Sequence, residues 1–428
     1  MAPVAVAAVV VAVAASVGLI VHYTNSESAE DAATRDLKVL WSAPYDRPSD
    51  VRGVGNWITG DLVVRARTDK VVGYAVADGR VGWTLPIPAG RAVCTMSRTV
   101  AGNVGLVGHG PEDEYHCTTL VAVDLGTGQP LWQRQRPVSE DNSDNRADEV
   151  AVTADTAVIK EPNGFVAVDL RGNKERWRLA AGKGCLAYSV TADGDTAVLV
   201  TTCANHVARL LVVDAATGRE RWRAQLRTSD DDEDNFRYGG TKRTVVLSVD
   251  PVVIRTRADD GRGGALIRFD DQGRRQATIA QSQQDLDVAP DLDSGVGDLA
   301  RPDYSVGVVG DVLVAAAKLA GDSSAGHVVA FSLADGRRLW LAEVAEDSYL
   351  STVDVVDGKV LVISDLSYQP ELRLLSPSDG RIVQTVTLSE VADELSGIST
   401  FAEVGAVGDR YVVINFDGAA NSPVVAVG

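Results

Sequence analysis

The chain has 428 residues, of which 45% are hydrophobic, so it can form a large buried core. Its formal net charge is −18 and its isoelectric point is about 4.7. This charge argues against nucleic acid and anionic membrane surfaces as partners, because both repel an acidic protein.

The first predicted element is an apolar N-terminal segment. Residues 4–21 are alanine, valine, leucine and isoleucine apart from Ser16 and Gly18. Eighteen helical residues rise about 27 Å, which is enough to cross the hydrocarbon core of a membrane. No lysine or arginine precedes the segment, although a cleavable signal peptide normally has one. We therefore predict a transmembrane anchor at residues 1–22 and a linker at 23–37, with cleavage near residues 12–15 and secretion as the alternative.

A short phrase then recurs along the chain: apolar residues, an acidic or polar turn, a glycine, and a tryptophan four residues later. Its fullest copies are VAVDLGTGQPLW at residues 121–132 and VVDAATGRERW at residues 212–222. The glycine and tryptophan pairs are Gly79 and Trp83, Gly128 and Trp132, Gly218 and Trp222, Gly336 and Trp340, and, with one extra residue, Gly172 and Trp177. Units of about 40–50 residues built from short strands indicate a β-propeller.

Each unit is predicted to contain four strands. In the fourth unit they are residues 185–193, 196–203, 207–215 and 219–226, rich in valine, leucine and threonine and bounded by turn residues. The glycine supplies the positive φ of the last turn, and the tryptophan on the outermost strand is expected to cover the gap to the adjacent blade. Two units have lost the tryptophan and carry Ala277 and Gln384 in its place.

Trp41 predicts how the ring closes. Residues 38–44 resemble an outermost strand without inner strands before it, whereas residues 400–406, 410–416 and 422–427 supply three strands and then stop. Placing the N-terminal strand beside these three completes an eighth blade and removes exposed sheet edges. We predict an all-β, eight-bladed propeller over residues 38–428, with seven blades as the alternative.

The recurring phrase, the eight units and the ring closure resemble the PQQ-like repeat propellers of bacteria. This family includes quinoprotein alcohol dehydrogenases and BamB-type lipoproteins of outer-membrane assembly, and the resemblance covers residues 38–428. For the enzymes, it implies PQQ and calcium as cofactors and an adjacent pair of cysteines at the quinone. No two cysteines of this chain are adjacent, so we expect no cofactor.

The four cysteines fall into two local pairs in the register of the repeat. Cys94 and Cys117 share one unit, and Cys185 and Cys203 share another. Antiparallel pairing brings the members of each pair to the same end of a blade, which predicts two disulfides. Disulfides place the propeller outside the cytoplasm, whereas four buried free thiols are the alternative.

Connections between strands differ between the two faces of the predicted ring. The turns before the tryptophans are short and uniform, and the connections at the opposite face vary in length. The variable connections include residues 110–116, 139–147, 228–240, 281–303 and 320–326. Because loops on a rigid scaffold often bind partners, we predict that this face is the functional surface; insertions tolerated at loop tips are the alternative.

Two acidic or histidine-containing segments are candidate metal sites. His109 and His116 lie in the sequence HGPEDEYHC and could bind a transition metal. Asp291 and Asp293 lie in a segment faintly similar to a calcium loop, without its distal glutamate. Solvated loops are the alternative for both segments.

Motif searches find no phosphate-binding loop, no nucleophile elbow and no HExxH zinc motif. We therefore predict a non-enzymatic, monomeric, membrane-anchored propeller that binds a protein or another envelope component. The alternatives are a PQQ- and calcium-dependent dehydrogenase and a binder of small ligands or glycans in the central funnel. The arginines that flank Trp177 and Trp222 are expected to point to solvent or to a neighbouring blade. Salt bridges or stacking contacts between blades are favoured for them over substrate contacts.

Overall fold

The protein is described from a computed structural model, in which residues 33–48, 51–112, 117–137, 149–203, 207–227, 244–256, 264–290, 305–322, 325–345, 350–364, 371–388, 402–415, 418 and 422–428 are placed. These residues form 34 β-strands and no helix. The strands assemble into eight sheets that make an eight-bladed propeller, as the repeat predicted.

The first four blades follow one another along the chain. Blade 1 contains β3 (Gly53–Ile58), β4 (Leu62–Arg67), β5 (Lys70–Ala75) and β6 (Val81–Pro86). Blade 2 contains β7 (Arg91–Met96), β8 (Val104–Pro111), β9 (Thr119–Asp124) and β10 (Gln129–Gln135). Blade 3 contains β11 (Val150–Val152), β12 (Thr156–Glu161), β13 (Gly164–Asp169) and β14 (Glu175–Ala180). Blade 4 contains β15 (Cys185–Asp193), β16 (Thr196–Cys203), β17 (Val207–Asp214) and β18 (Glu220–Arg227).

The remaining blades complete the ring. Blade 5 contains β19 (Val245–Val249), β20 (Val252–Thr256), β21 (Ala265–Phe269) and β22 (Arg275–Ala280). Blade 6 contains β23 (Leu286–Val288), β24 (Val306–Val309), β25 (Val312–Leu319), β26 (His327–Ser332) and β27 (Arg338–Glu343), with β23 and β24 both pairing β25. Blade 7 contains β28 (Leu350–Val356), β29 (Lys359–Ser364), β30 (Glu371–Leu375) and β31 (Ile382–Thr387). Blade 8 contains β32 (Ala402–Val407), β33 (Arg410–Asn415) and β34 (Val424–Val427), and β2 (Val39–Ser42) is its outermost strand.

The N-terminal strands close the ring. β2 pairs antiparallel with β34, as Trp41 predicted. Part of the segment assigned to a linker is also structured, because β1 (Ala33–Asp36) pairs parallel with β31 as a fifth strand of blade 7. No helix in the described part of the chain is long and apolar enough to span a membrane. The predicted anchor at residues 4–21 lies outside the described residues.

Buried apolar side chains fill the junctions between blades. In the described part of the chain, each of the eight junctions holds its own apolar cluster, built from both adjoining sheets. Six of these clusters include the repeat tryptophan of the preceding blade, namely Trp41, Trp83, Trp132, Trp177, Trp222 and Trp340. The core of the protein is therefore a ring of inter-blade contacts.

The repeat phrase is explained by contacts within one turn and across one junction. Asp214 accepts hydrogen bonds from the backbone and the hydroxyl of Thr217, which shapes the turn. Gly218, at φ +70°, lies beneath the ring of Trp177 from the preceding blade, and a Cβ there would approach that ring to 2.7 Å. The indole N–H of Trp177 donates to the carbonyl of Ala215 at 2.8 Å. Equivalent indole bonds join Trp41 to Val76, Trp83 to Leu125, Trp132 to Leu170 and Trp340 to Pro377.

A β-bulge directs each tryptophan toward the next blade. The pairing register shifts at the residue just before the tryptophan position in the outermost strand of all eight described blades. The extra residues are Leu40, Gly82, Leu131, Arg176, Arg221, Gln276, Leu339 and Val383. A bulge increases the local twist and re-aims the side chains beside it.

The two junctions without a repeat tryptophan are filled differently. In blade 5, Ala277 leaves a gap that Gly336 of blade 6 enters, and a Cβ on Gly336 would lie 3.8 Å from the methyl group of Ala277. In blade 7, Gln384 pairs with Ala33 of β1. The next residue after β1, Leu37, is 1% exposed and packs within the cluster between blades 7 and 8.

The arginines beside the tryptophans pair within their own blades, so the prediction of salt bridges between blades was wrong for them. Arg176 contacts Asp155 at 2.9 Å and Asp169 at 2.8 Å, all in blade 3. Arg221 contacts Asp195 and Asp214 in the same way within blade 4. The bulge places these arginines over the turns of their own sheet. Blade-to-blade ion pairs arise elsewhere, for example between Arg268 of blade 5 and Asp311 of blade 6 at 2.9 Å.

Candidate partner-binding face

The strand order assigns every connection to one of two faces. One face carries the connections from the first to the second strand and from the third to the fourth strand of each blade, and we call it the turn face. The opposite face, with the connections from second to third strand and from blade to blade, is the loop face. All five connections predicted to be variable begin and end at the loop face. Residues 113–116, 138–148, 228–243, 291–304 and 323–324 of these connections lie outside the described residues.

Buried charged side chains lie at the loop face where the ring closes. Asp46, in the connection from blade 8 to blade 1, is 2% exposed and accepts hydrogen bonds from Arg65 and, at 2.9 Å, from Arg67. Arg65 also donates to the backbone carbonyl of Asn415 in blade 8. The backbone N–H of Asp46 donates to the backbone carbonyl of Gly418. Two guanidinium groups around one buried carboxylate hold the two ends of the ring together. Removing one partner of such a pair typically costs about 3–5 kcal/mol.

A second buried charge group lies at the junction of blades 2 and 3. The carboxylate of Glu149 contacts Arg136 at 2.6 Å and Lys160 at 3.2 Å. Burial alone would raise the pKa of Glu149, but the two cations hold this pKa below its usual value. Arg136 and Glu149 stand on either side of residues 138–148, so the ion pair ties the two ends of this connection together.

Other arginines anchor the loop face in blades 5 and 7. Arg255 is 2% exposed and donates to the carbonyl of Ala289 and to the hydroxyl of Ser305, on either side of residues 291–304. Arg373 of blade 7 donates to the carbonyl of Val344 in the connection from blade 6 and pairs with Glu371. Hydrogen bonds and ion pairs of arginine side chains thus hold the strand ends together at this face.

The two predicted disulfides are also at the loop face. Cys94 is joined to Cys117 within blade 2, and Cys185 to Cys203 within blade 4. All four residues are less than 7% exposed, and the described residues include no free cysteine. Arg209 lies 3.4 Å from the Sγ of Cys185. Each bridge closes the base of one connection between second and third strands.

The guanidinium of Arg91 contacts the Nδ1 atom of His109, one of the two ring nitrogens that could bind a metal ion. Arg91 donates to this Nδ1 at 2.9 Å. Burial and the charge of Arg91 both lower the pKa of His109, so the ring is held neutral as an acceptor. The adjacent positive charge opposes a cation at this nitrogen. His116, the other histidine of the metal hypothesis, lies outside the described residues.

The calcium hypothesis cannot be placed on the described chain, because Asp291 and Asp293 lie outside it. Within the described residues, no group of three or more histidine, cysteine, aspartate and glutamate side chains is arranged to hold a metal ion. Asp285 and Asp287, at the start of the same acidic segment, bind Arg338 and the hydroxyl of Ser282.

An exposed tyrosine and arginine stand directly above the ring closure. Tyr45 is 48% exposed, and the guanidinium carbon of Arg47 lies 6.0 Å from the centre of its ring. Asp46, between them, points inward and is fixed by Arg65 and Arg67. Sequence inspection missed this pair, although tyrosine and arginine next to a closure strand are the signal that could have revealed it. Exposed tyrosine and arginine are typical of the residues that dominate protein interfaces.

Three features of the described residues argue against a quinone cofactor in the central channel. Arg98, in the turn after β7 of blade 2, donates to the carbonyl of Val246 on β19 of blade 5 at 2.7 Å and so crosses the middle of the ring. The cavity beside Arg98 has a volume of about 220 Å³, below the roughly 300–1,000 Å³ of pockets that enclose larger ligands. All four cysteines are used within blades 2 and 4, so none forms an adjacent pair at the channel.

Comparisons with known proteins agree with this architecture. A family model described as outer membrane protein assembly factor BamB matches residues 3–177 and 116–386. The structure of BamB from Moraxella catarrhalis superimposes with a TM-score of 0.55 at 17% identity, over 91% of this chain and 99% of that one. The sequence matches no protein with a curated description.

Dehydrogenases share the fold as well. A quinohemoprotein alcohol dehydrogenase, ADHIIG from Pseudomonas putida HK5, has a TM-score of 0.53 at 13% identity over 91% of this chain and 75% of its own. A europium-containing methanol dehydrogenase has a TM-score of 0.52 at 12% identity over 88% of this chain and 84% of its own. At these identities the likeness concerns the fold alone.

Proposed function

We propose that this chain, which belongs to the family of the outer membrane protein assembly factor BamB, is a non-enzymatic scaffold that binds a partner protein of the cell envelope through its loop face. The observation that carries the proposal is a structural difference between the two faces of the ring. Buried arginine clusters and two disulfides brace the loop face, whereas the turn face consists of short repeated turns. A braced surface loses little conformational freedom on binding, which favours affinity.

The two disulfides support a location outside the cytoplasm, where thiols become oxidised. We propose that residues 4–21 anchor the chain in the membrane as a single span and that the propeller acts as a monomer. Secretion after cleavage of the apolar segment is the alternative. Labelling of the intact cell with a membrane-impermeant reagent, followed by fractionation, distinguishes an anchored propeller from a released one.

Tyr45 and Arg47 are the described residues that we assign to the partner contact. The buried pairs of Asp46 fix the backbone between them, and Arg67 also donates to the carbonyl of Arg47. The two side chains are therefore presented at a defined position, and an interface can bury them at low entropic cost. Leu186, 40% exposed at the start of β15, adds apolar surface on the same face.

The test is site-specific photo-crosslinking of the full chain in its own membrane. A benzophenone amino acid replaces Tyr45 in one variant and Val81 in another; Val81 is similarly exposed at 49% but lies on the outermost strand of blade 1. We expect a discrete crosslinked protein from position 45 and none from position 81. The crosslink should disappear in the presence of R47A.

Equal crosslinking from both positions, or none from position 45, would overturn the proposed use of the loop face. The dehydrogenase alternative has its own measurement, thermal unfolding of the oxidised chain with and without PQQ plus calcium. A clear rise in Tm with the pair would favour the enzyme, because a ligand stabilises the state that it binds.

A further inference from the structure

The disulfide between Cys185 and Cys203 lies at the loop-face end of blade 4. Cys185 is the first residue of β15 and Cys203 is the last residue of β16, and the two are paired directly across these antiparallel strands. They pack with Ala181 and Val207 in a small apolar cluster that is separate from the clusters between blades. This disulfide therefore stands at the margin of its sheet, outside the main core.

Exposed residues surround this disulfide on several sides. The two cysteines are themselves 6% and 4% exposed. Residues 182–184, directly before Cys185, are exposed, and so is Leu186 directly after it. Arg209, on the neighbouring strand β17, is exposed as well. The bond thus lies directly beneath the side chains of the protein surface.

Arg209 places a positive charge beside one of the two sulfurs. Its guanidinium donates to the Sγ of Cys185 at 3.4 Å, and no carboxylate of the described residues pairs with it. A cation beside a cysteine sulfur stabilises the thiolate relative to the thiol. A stabilised thiolate is also the better leaving group when a disulfide is attacked. The surroundings therefore favour breakage of this disulfide with Cys185 as the leaving sulfur.

The other disulfide of the chain provides an internal reference. Cys94 and Cys117 are 4% and 1% exposed, and a Cβ on Gly108 would lie 2.9 Å from the Sγ of Cys117, so this sulfur packs against the backbone of β8. Among the described residues, no arginine or lysine donates to either sulfur. The sequence separations of the two disulfides are 23 and 18 residues, so chain entropy protects both bonds almost equally. A difference in how readily they are reduced would therefore come from their local surroundings.

We infer that the bond between Cys185 and Cys203 is a thiol–disulfide exchange site for a dithiol protein, an oxidoreductase with two cysteines separated by two residues. A thiolate of that protein attacks the Sγ of Cys203 and forms a mixed disulfide, while the bond to Cys185 breaks and Cys185 leaves as a thiolate beside Arg209. The second thiolate of the oxidoreductase then attacks its own cysteine in the mixed disulfide and releases the thiolate of Cys203.

This exchange is balanced in electrons and protons. Two electrons pass from the dithiol to the disulfide of blade 4, and the oxidoreductase is left with a disulfide of its own. The two protons of its thiols are left for the released sulfurs of Cys185 and Cys203. The product is a propeller in which β15 and β16 are no longer linked at the loop face, whereas blade 2 keeps its disulfide.

The test is graded reduction of the full chain in detergent at pH 8 with mixtures of reduced and oxidised dithiothreitol. Free thiols are then alkylated with N-ethylmaleimide and located by peptide mass spectrometry. We expect Cys185 and Cys203 to be labelled at a reductant ratio at least about threefold lower than Cys94 and Cys117, because a hydrogen bond from a cation favours the thiolate. This comparison is made within one unaltered chain, so it does not depend on the folding of a variant.

Substitutions at Arg209 test the source of the difference. R209Q removes the charge and should slow reduction of the blade 4 disulfide about three- to tenfold, since a hydrogen bond to the leaving thiolate is weakened. R209K keeps the charge and should retain most of the rate. The matched control is R223Q, because Arg223 is an exposed arginine of the same blade that pairs with Glu220 and not with a sulfur. Its rate of reduction should equal that of the unaltered chain.

Glutathione, a monothiol, identifies the sulfur that is attacked. After a short exposure and an acid quench, we expect glutathione mainly on Cys203, because Cys185 is the leaving sulfur. The inference is overturned if the two disulfides of the unaltered chain are reduced at the same ratio or if R209Q and R223Q react at the same rate. Glutathione found mainly on Cys185 would overturn it as well.

Discussion

Trp41 and Gly79 lie against each other across the junction at which the ring closes. A Cβ on Gly79 would come within 2.4 Å of the indole ring, and the Trp41 N–H donates to the carbonyl of Val76 in the same turn at 2.8 Å. The last blade therefore docks on the first by the contact that joins the internal blades. At this turn the closure uses the same tryptophan and glycine contact as the repeat.

Replacing Gly79 by alanine should reduce the free energy of unfolding by about 2–4 kcal/mol, because the change adds a steric clash to an unfavourable positive φ. The matched control is G90A. Gly90 has φ +74° but no atom within 4 Å of an added Cβ, so this variant should lose only about 1–2 kcal/mol for its backbone conformation. Urea unfolding of both variants measures the difference, and equal losses would mean that Trp41 does not pack on Gly79.

Neutralising Asp46 should open the ring closure. D46N leaves two buried guanidinium groups without their shared counter-charge, and should lower stability by about 3–5 kcal/mol. D69N is the control, because Asp69 binds the same Arg67 but its side chain is 37% exposed. An exposed pair is worth less than about 1 kcal/mol. Similar unfolding midpoints for the two variants would contradict the assignment of Asp46 as the closure residue.

Glu149 should make the protein sensitive to acid. The folded-state pKa of Glu149 is lowered, so its ion pairs stabilise the protein above the unfolded pKa of about 4.3 and lose this contribution as the pH falls through the folded value. The unaltered chain should be more stable than E149Q at pH 7, and the difference should shrink towards pH 3. Exposed Glu343 provides the control E343Q, for which chemical denaturation at both pH values should show little change.

The two disulfides should each contribute about 3 kcal/mol by the chain-entropy relation, for sequence separations of 23 and 18 residues. Paired alanine substitutions at Cys94 and Cys117, or at Cys185 and Cys203, should lower the free energy of unfolding by about this amount, which denaturant titration measures. A reductant should destabilise the unaltered chain but have no effect on the variant that lacks all four cysteines. An unaltered chain that is indifferent to reductant, with its thiols shown to be reduced, would contradict this contribution.

Leu37 should be the residue that fixes the N-terminal segment to blade 7. L37A removes a side chain that is 1% exposed and should cost about 2–5 kcal/mol. Leu40, three residues later, is 44% exposed, so L40A should have a much smaller effect. Thermal unfolding of the two variants compares them directly. Equal melting temperatures would show that Leu37 is not packed between blades 7 and 8.

Much of the fold could be predicted from local sequence. The spacing of Gly218 and Trp222 marks a turn and an outermost strand, and its repetition marks the blades. Cys185 and Cys203 lie at matching positions of adjacent antiparallel strands, so their pairing followed from the register. Trp41 indicated the closure because a lone outermost strand needs three inner partners. Each of these features lies within one unit or is repeated from unit to unit.

Only the tertiary structure decided the contacts that occur once. Arg98 reaches Val246 at a separation of 148 residues, and Arg65 reaches Asn415 at a separation of 350 residues. No period in the sequence marks such pairs, because they depend on which strand ends the closed ring brings together. Arg176 and Arg221 were expected to form contacts between blades, but they pair within their own blades. A one-residue bulge changes the direction of a side chain and leaves the strand pattern unaltered. The sequence alone thus determined the propeller architecture and indicated its closure, and the structure decided between eight blades and seven. The buried charges of the loop face and the bridge across the channel required three-dimensional packing.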